Sequence, residues 1–160
     1  MKYFTLDWWI ATQLSYVEAG SEKDAEIASL DSAAMAYRPY FESVRDRLPS
    51  RYVDLSNEVT IHDGHVRHLS LREGTLRIVL DASDITEREL RRVALTFRGV
   101  DQIEAISDPM KYLAGPSGFG DLGYDEIEVV CDGVFKLSLL FSSGIELQIT
   151  FREFDFETLT

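Results

Sequence analysis

The chain has 160 residues, a length typical of one domain, and its 45% hydrophobic and 28% charged residues are those of an ordinary globular protein. Its 16 Lys and Arg residues against 28 Asp and Glu residues leave a net charge of −12 at pH 7. Such a charge repels phosphate backbones and anionic lipids, so we expect binding neither to nucleic acid nor to membranes.

One cysteine, Cys131, excludes an intramolecular disulfide, and the first ten residues lack the features of a secretory signal peptide. The apolar runs are far shorter than the ~20 residues that cross a bilayer. We therefore expect a protein of the cytoplasm.

The first 58 residues predict helices. Thr5 is placed to cap one helix and Gly20 to end it, and Ser21 to Asp24 resembles a capping box for the next. That second helix carries an apolar stripe in steps of three and four residues. The stripe consists of Ile27, Leu30, Ala34, Tyr37, Phe41, Val44 and Leu48.

Pro39 lies inside this stripe. A proline within a helix removes one hydrogen bond and clashes with the preceding turn, at a cost of ~3 kcal/mol or more. We therefore expect a kink, or two helices that meet, near Arg38. Pro49 closes this unit, and residues 50–57 predict a further short helical turn.

From residue 61 onward, apolar and polar residues alternate, as in strands with one buried face. Three short turns, at Glu73-Gly74, Asp132-Gly133 and residues 142–144, permit only antiparallel neighbours. The sequence therefore predicts an α+β fold, with N-terminal helices packed on one face of a mainly antiparallel C-terminal sheet of about six strands. We expect a single domain over residues 1–160, helical over 1–58 and β over 59–160.

Residues 101–124 do not continue this alternation. They hold two prolines and several glycines, and so predict a long irregular loop. Long loops are often functional, although a connection without a role is the interpretation that we favour here.

A histidine cluster is the first candidate site. His62, Asp63, His65 and His68 are residue types that bind zinc or iron, and they would make this a small metal-dependent enzyme. In a strand, however, His62 and His68 face one way and His65 the other. We favour local hydrogen bonds at the start of a strand, and expect no metal or other cofactor.

An acidic cluster is the second candidate. Asp121, Asp125, Glu126 and Glu128 could form a docking surface for a basic protein, and paired carboxylates can also divide acid and base roles. In a strand Glu126 and Glu128 share the face opposite Ile127, which predicts a solvated face. Cys131 falls on the presumed core face, where a thiol is inert.

Two adjacent tryptophans are the third candidate. Trp8 and Trp9 lie about 100° apart on a helix, so one of them could stay partly exposed and contact a partner or a second copy of the chain. Packing of both against the sheet is the favoured alternative.

Several short motifs carry a family resemblance. They are the opening Met-Lys-Tyr-Phe-Thr, Tyr40-Phe41, Arg47-Leu48-Pro49, His62-Asp63, Leu95 to Val100, Tyr124 to Ile127 and a final Phe-x-Leu … Ser-x-Gly-x-Glu-Leu hairpin. Over nearly the whole chain they resemble an uncharacterised bacterial family, domain-of-unknown-function family 4085. Gly123 departs from that pattern, which has a Trp-Leu-Tyr-Asp-Glu-like stretch there. The resemblance implies no activity, and a likeness to small acidic immunity proteins is an analogy.

Three functional hypotheses follow. The first is a non-enzymatic protein-binding module, of an immunity-like or interaction type, whose acidic surface engages a basic protein. The second is a small metal-dependent enzyme that uses the residues from His62 to His68. The third is a structural homodimer built on Trp8 or Trp9. We favour the first, since the chain holds no nucleophile-elbow, phosphate-loop, dinucleotide-binding or CxxC motif.

Overall fold

A computed structural model describes residues 1–11, 23–85, 89–108, 110 and 118–159, with backbone only at 23–31 and 84. The helices are α1 (residues 6–11), α2 (Lys23–Val44) and α3 (Ser50–Glu58), with a 3₁₀ turn at Arg45–Arg47 before α3. Nine strands follow: β1 (Val59–Thr60), β2 (Gly64–Arg72), β3 (Thr75–Asp84), β4 (Leu90–Arg98), β5 (Gln102–Ile106), β6 (Asp121–Cys131), β7 (Val134–Phe141), β8 (Glu146–Phe151) and β9 (Glu153–Leu159).

The α+β class with an antiparallel sheet is confirmed, but the sheet has nine strands rather than about six. The irregular loop predicted over residues 101–124 is also too long, because β5 and the first residues of β6 lie within it. Only Ile103 of β5 is partly buried, so this edge strand lacks the buried and exposed alternation by which strands are predicted.

The strands form one sheet in the order β5, β8, β7, β6, β2, β3, β4, β9, with β1 paired to β3. We call β1, β2, β3, β4 and β9 the β3–β4 half, and β5 to β8 the β6–β7 half. The halves are joined where Gly64 and His65 of β2 pair with Leu122 and Asp121 of β6. A Cβ at Gly64 would lie 2.6 Å from the Ile61 carbonyl oxygen, so this junction requires glycine.

Both halves contribute to one hydrophobic core. The alternation predicted for β3, β4, β7 and β8 is confirmed, because their apolar sets are buried. These sets include Leu76, Ile78, Leu80, Val93, Leu95, Phe97, Leu137, Leu139, Phe141, Leu147, Ile149 and Phe151. Helix α3 adds Tyr52 and Leu55 to the same core.

Two of the helical predictions are confirmed. Thr5 caps α1, since its Oγ1 accepts a hydrogen bond from the Trp8 amide at 3.2 Å. The short helix expected at 50–57 is α3. Helix α2 continues through Pro39 as one helix, so the alternative of two helices that meet near Arg38 is wrong, while a kink within one helix stays a prediction. Pro39 and Met35 are both exposed, so the carbonyl that the proline leaves unpaired can bind water.

The predicted end of the first helix at Gly20 and the capping box at Ser21 lie outside the described residues. The arrangement of all helices on one face of the sheet therefore stays a prediction. In the described part of the chain, no helix is both long enough and apolar enough to span a membrane.

Candidate functional site

The candidate site lies along β6, where the strand departs from regular pairing. Its register with β7 shifts between Leu122 and Tyr124, and again between Val129 and Cys131. Between these two irregularities, Asp125 is opposite Leu139. Because Leu139 belongs to the core, Asp125 lies on the core side of the strand. Bulges of this kind commonly redirect side chains beside functional sites.

Asp125 is a carboxylate in apolar surroundings that keeps part of its surface accessible. Its Oδ2 accepts a hydrogen bond of 2.6 Å from the Tyr52 hydroxyl of α3, and no described residue donates to its Oδ1. Burial raises the pKa of Asp125, although the Tyr52 hydrogen bond and the nearby His62 act in the opposite direction. Burial and the charge of Asp125 raise the pKa of Tyr52, which therefore stays a neutral donor.

Asp125 lies at the base of a cavity of about 440 Å³ between α2, α3 and the start of β6, which we call the Asp125 cleft. Its apolar walls are mostly aromatic, and they are formed by Phe4, Tyr37, Phe41, Tyr52 and Tyr124. Arg38, Glu42 and Arg45 of α2 line its outer part. A second cavity of about 240 Å³ adjoins it on the other side of Tyr52, His62 and Asp125.

Tyr124 is the centre of the aromatic packing beside the cleft. Phe4 stacks on it with ring centroids 4.8 Å apart, and Trp8 and His62 meet it edge-on at 4.9 and 5.2 Å. Trp9 lies 6.0 Å from the same ring. Both tryptophans are half-buried, so each contributes to this intramolecular cluster.

Helix α2 is fastened to β6 by two tyrosines. The Tyr37 hydroxyl accepts a hydrogen bond from the Ile127 amide at 2.9 Å, and the Tyr40 hydroxyl accepts one from the Val129 amide at 3.1 Å. Burial is the main cause that raises the pKa of Tyr37 far above its ordinary value. These hydroxyls take the place of a neighbouring strand along this edge of β6.

Glu126 is buried, with 7% of its surface exposed, so the prediction that it lies on a solvated face is wrong. Its carboxylate accepts hydrogen bonds from the amides of Lys2, Tyr3 and Phe4 at 2.6 to 2.8 Å. The N-terminal residues therefore cover the outer face of β6. This cover comes from more than 120 residues away, so the local alternation contains no sign of it.

The other two acidic candidates are on the surface. Asp121 is 57% exposed, and its Oδ1 lies 3.0 Å from His65 Nδ1. Glu128 is 52% exposed and forms an ion pair of 2.7 Å with Lys136. The four predicted acidic residues are thus divided, since Asp125 and Glu126 are enclosed while Asp121 and Glu128 face solvent.

The histidine cluster does not converge. His62 Nδ1 lies 3.1 Å from Asp63 Oδ2, His65 is paired with Asp121, and His68 is exposed on β2. Within the described ranges, no three His, Cys, Asp or Glu side chains come close enough together to hold a metal ion. The metal-centre hypothesis therefore has no geometric support among these residues.

The Cys131 thiol is exposed, contrary to the prediction that it faces the core. The register shift between Val129 and Cys131 is the cause, because an extra residue in a strand reverses the face of every residue after it. Val130 at this bulge is also exposed, at 54%.

The sequence pattern indicates the Tyr124 to Glu128 segment but not the residues that enclose it. Tyr37 is predicted only as part of the apolar stripe, Tyr40 only as part of a family motif, and Tyr52 has no predicted role. Three tyrosines on consecutive helices are the one signal that could have drawn attention to them, since a buried tyrosine needs a partner for its hydroxyl.

Comparisons with known proteins give a family but no activity. A family model described as "Protein of unknown function (DUF4085)" matches residues 16–151. No curated protein matches the chain. A crystal structure of an uncharacterized protein from Neisseria gonorrhoeae is similar at 13% identity and a TM-score of 0.41, covering 64% of this chain and 97% of that one.

Proposed function

The chain belongs to the DUF4085 family of unknown function, and from that premise we propose that it is a non-enzymatic binding module for a basic protein. The observation that carries this proposal is the excess of 12 carboxylates over basic groups in 160 residues. Each ion pair uses one charge of each sign, so this excess stays uncompensated within the chain. A field of that sign accelerates encounters with a positively charged partner.

The exposed part of β6 is the surface that we propose for this encounter. Asp121 and Glu128 lie there, followed by the fully exposed Asp132 in the turn to β7. Their present partners, His65, Lys136 and Arg47, are themselves at least a third exposed. Ion pairs of this kind contribute about 0–1 kcal/mol each, so they can be exchanged for the charges of a partner at little cost.

The two other hypotheses receive less support. A metal-dependent enzyme would need His62, His65 and His68 to gather, whereas each has separate surroundings. A homodimer through Trp8 or Trp9 would need an exposed indole, whereas both rings pack on Tyr124. The analogy with acidic immunity proteins agrees with the favoured hypothesis, but only as an analogy.

We propose the cytoplasm as the place of this interaction. The exposed thiol of Cys131 suits a reducing compartment, because oxidation would be rapid at an accessible position elsewhere. The proposal also retains helices on one face of the sheet, which the contacts of Tyr37 and Tyr40 with β6 support.

The test begins with capture from an extract of the cells that produce this protein, at low ionic strength, followed by purification of each captured protein. We expect a partner with net positive charge whose association rate falls steeply as salt is added. Recovery of acidic partners only, or of a complex indifferent to salt, would contradict the proposal.

A pair of double variants locates the surface. Asp121→Asn with Glu128→Gln removes two charges from β6, while Glu73→Gln with Glu153→Gln removes two exposed charges from the β3–β4 half. Because both variants have the same net charge, a slower association in the first alone assigns the encounter to β6. Equal slowing in both would reject the β6 surface and leave only a general charge effect.

A further inference from the structure

We propose that the Asp125 cleft is a binding site for an organic cation, a primary ammonium or guanidinium group carried on a short apolar chain. The cleft is separate from the exposed β6 surface, and this inference does not require the protein partner proposed above. It rests on the base, the walls and the outer part of the cleft, in that order.

The base of the cleft offers one oxygen for a ligand. Tyr52 occupies Oδ2 of Asp125, and within the described part of the chain Oδ1 has no donor. No described Lys or Arg forms an ion pair with this carboxylate. An ionised carboxylate in apolar surroundings costs free energy unless a cation or several donors compensate it. A ligand that carries a positive charge supplies this missing compensation.

The walls of the cleft favour the same ligand. Along one side, the ring of Phe4 contacts both Tyr37 and Tyr124, with centroid distances of 5.8 and 4.8 Å. Aromatic faces attract ammonium and guanidinium groups, and the rings pack equally well against the methylene groups behind such a charge. The volume of about 440 Å³ lies within the range of ordinary ligand sites.

Positive charge in the outer part of the cleft does not reverse this preference. Arg45 is 41% exposed and is paired with Glu42 at 3.6 Å, and Arg38 is exposed. Water and salt screen these charges strongly, whereas the enclosed carboxylate acts through a medium of lower dielectric constant. An anionic group placed beside Asp125 is therefore disfavoured.

The required chemistry has two sources, a free amine or the side chain of a Lys residue in a polypeptide. The probes are therefore n-pentylamine and the peptide acetyl-Gly-Lys-Gly-amide, with n-pentanol and pentanoate as matched neutral and anionic controls. Binding is measured by titration, from chemical-shift changes at Tyr124 and Trp8. We expect at least one cationic probe to bind about tenfold or more tightly than either control.

The variant that tests the base is Asp125→Asn, which keeps the shape and removes the charge. We expect it to weaken binding of the cationic probe about tenfold or more, since the charge-assisted hydrogen bond is lost. Asp101→Asn is the matched control, because Asp101 is an exposed aspartate that does not line the cleft, and we expect it to leave affinity within about twofold. Circular dichroism of both variants verifies that the fold is retained.

Each outcome decides a separate question. Binding of pentylamine alone identifies a free amine as the ligand class, and binding of the peptide identifies the side chain of a polypeptide. The inference is overturned if neither cation binds, if pentanol binds as tightly as pentylamine, or if Asp125→Asn binds like the wild type. None of these results affects the salt-dependent association by which the proposed function is judged.

Discussion

The β3–β4 pair and β6 show opposite relations between sequence pattern and environment. β3 and β4 pair over nine consecutive positions without a register shift. Apart from the exposed Leu90 at the start of β4, their apolar residues are buried, while Arg77, Arg92 and Arg98 face outward. β6 has two register shifts, encloses Asp125 and Glu126, and exposes Cys131. Alternation of apolar and polar residues therefore predicts burial only where the register is unbroken and each face of the strand has a uniform environment, either core or solvent.

The two halves also differ in how the charge of an enclosed aspartate is compensated. Asp81 of β3 is 8% exposed and accepts hydrogen bonds from Arg67 at 2.6 and 2.8 Å, with Arg92 3.4 Å away. These arginines lower the pKa of Asp81. Among the described residues, Asp125 has one neutral donor, Tyr52, and no ion pair with a Lys or Arg residue. A compensated carboxylate is a structural element, whereas an uncompensated one is the feature expected of a binding site.

The largest effect is expected from the regular half. Phe97→Ala removes a fully buried ring that meets Phe151 and Phe154 at 5.1 and 5.3 Å. We expect the free energy of unfolding to fall by about 3–5 kcal/mol, because a large cavity is left in the core. Urea denaturation measures this loss. Phe97→Leu is the control and should cost clearly less, so equal losses would speak against cavity formation.

The next largest loss of stability is expected where the N-terminal residues cover β6. Glu126→Gln replaces a carboxylate that binds three consecutive amides with a group whose NH₂ cannot accept them. We expect a loss of about 2–3 kcal/mol and a red shift of tryptophan emission as Trp8 and Trp9 leave Tyr124. Glu128→Gln, two residues away and exposed, should change stability by less than about 0.5 kcal/mol. Similar results for both variants would contradict the enclosed position of Glu126.

A smaller effect, of opposite sign in the two halves, is expected from the two aspartates. The pKa of Asp125 is raised on folding, so stability falls as pH rises through the ordinary pKa of an aspartate, about 3.9, toward the folded value, and stays lower above it. Asp125→Asn should therefore raise the melting temperature at pH 7, and the gain should disappear below the ordinary pKa.

For Asp81 the pKa is lowered, so its stabilisation is present above the ordinary pKa and is lost as pH falls through the folded value. Asp81→Asn should destabilise at pH 7 by less than about 1 kcal/mol, since both arginines are half-exposed. Melting curves from pH 3 to pH 8 measure both variants, and shifts of the same sign would refute the comparison.

Among the described residues, the titratable groups that interact with Asp125 are Tyr52 of α3, Tyr37 of α2, Glu126 of β6 and His62. Histidine is the one among these residue types that ordinarily changes charge between pH 5 and pH 8. A His62→Gln background therefore keeps histidine titration out of the measurement on Asp125. The gain from Asp125→Asn at pH 7 should persist in that background.

The smallest effect is expected at the second bulge. Because Cys131 is exposed, Cys131→Ser should change the free energy of unfolding by less than about 0.5 kcal/mol. In the native wild type, the thiol should react with a chromogenic disulfide reagent in one rapid phase. A reaction that waits for denaturant would place the thiol in the interior instead.

Much of the fold was predictable because local rules determine it. Glu73 and Gly74 adopt the positive φ values of a tight hairpin turn, and the alternation in β3, β4, β7 and β8 identifies the core side chains. The number of strands was harder to predict, since β5 has a single partly buried residue. Its assignment depends on pairing with β8, which a local pattern does not reveal.

Of the candidate site, only the β6 segment could be predicted from the sequence. Its residue types are unusual for a strand that enters a core, which drew attention to Tyr124 to Glu128. Two distant contributions, the amides of residues 2–4 and the Tyr52 hydroxyl, decide that Glu126 and Asp125 are enclosed. Such contributions depend on tertiary packing, so a solvated face was the reasonable and incorrect interpretation for Glu126.

The tyrosine hydroxyls on β6 have a consequence for hydrogen exchange. The amides of Ile127 and Val129 are held by Tyr37 and Tyr40, not by another strand. Their protons are therefore protected from exchange only while α2 is packed against β6. They should exchange with deuterium whenever that helix separates locally, which requires less free energy than opening of the sheet. The exchange rates of these two amide protons thus report how often α2 separates from the strand that carries Asp125.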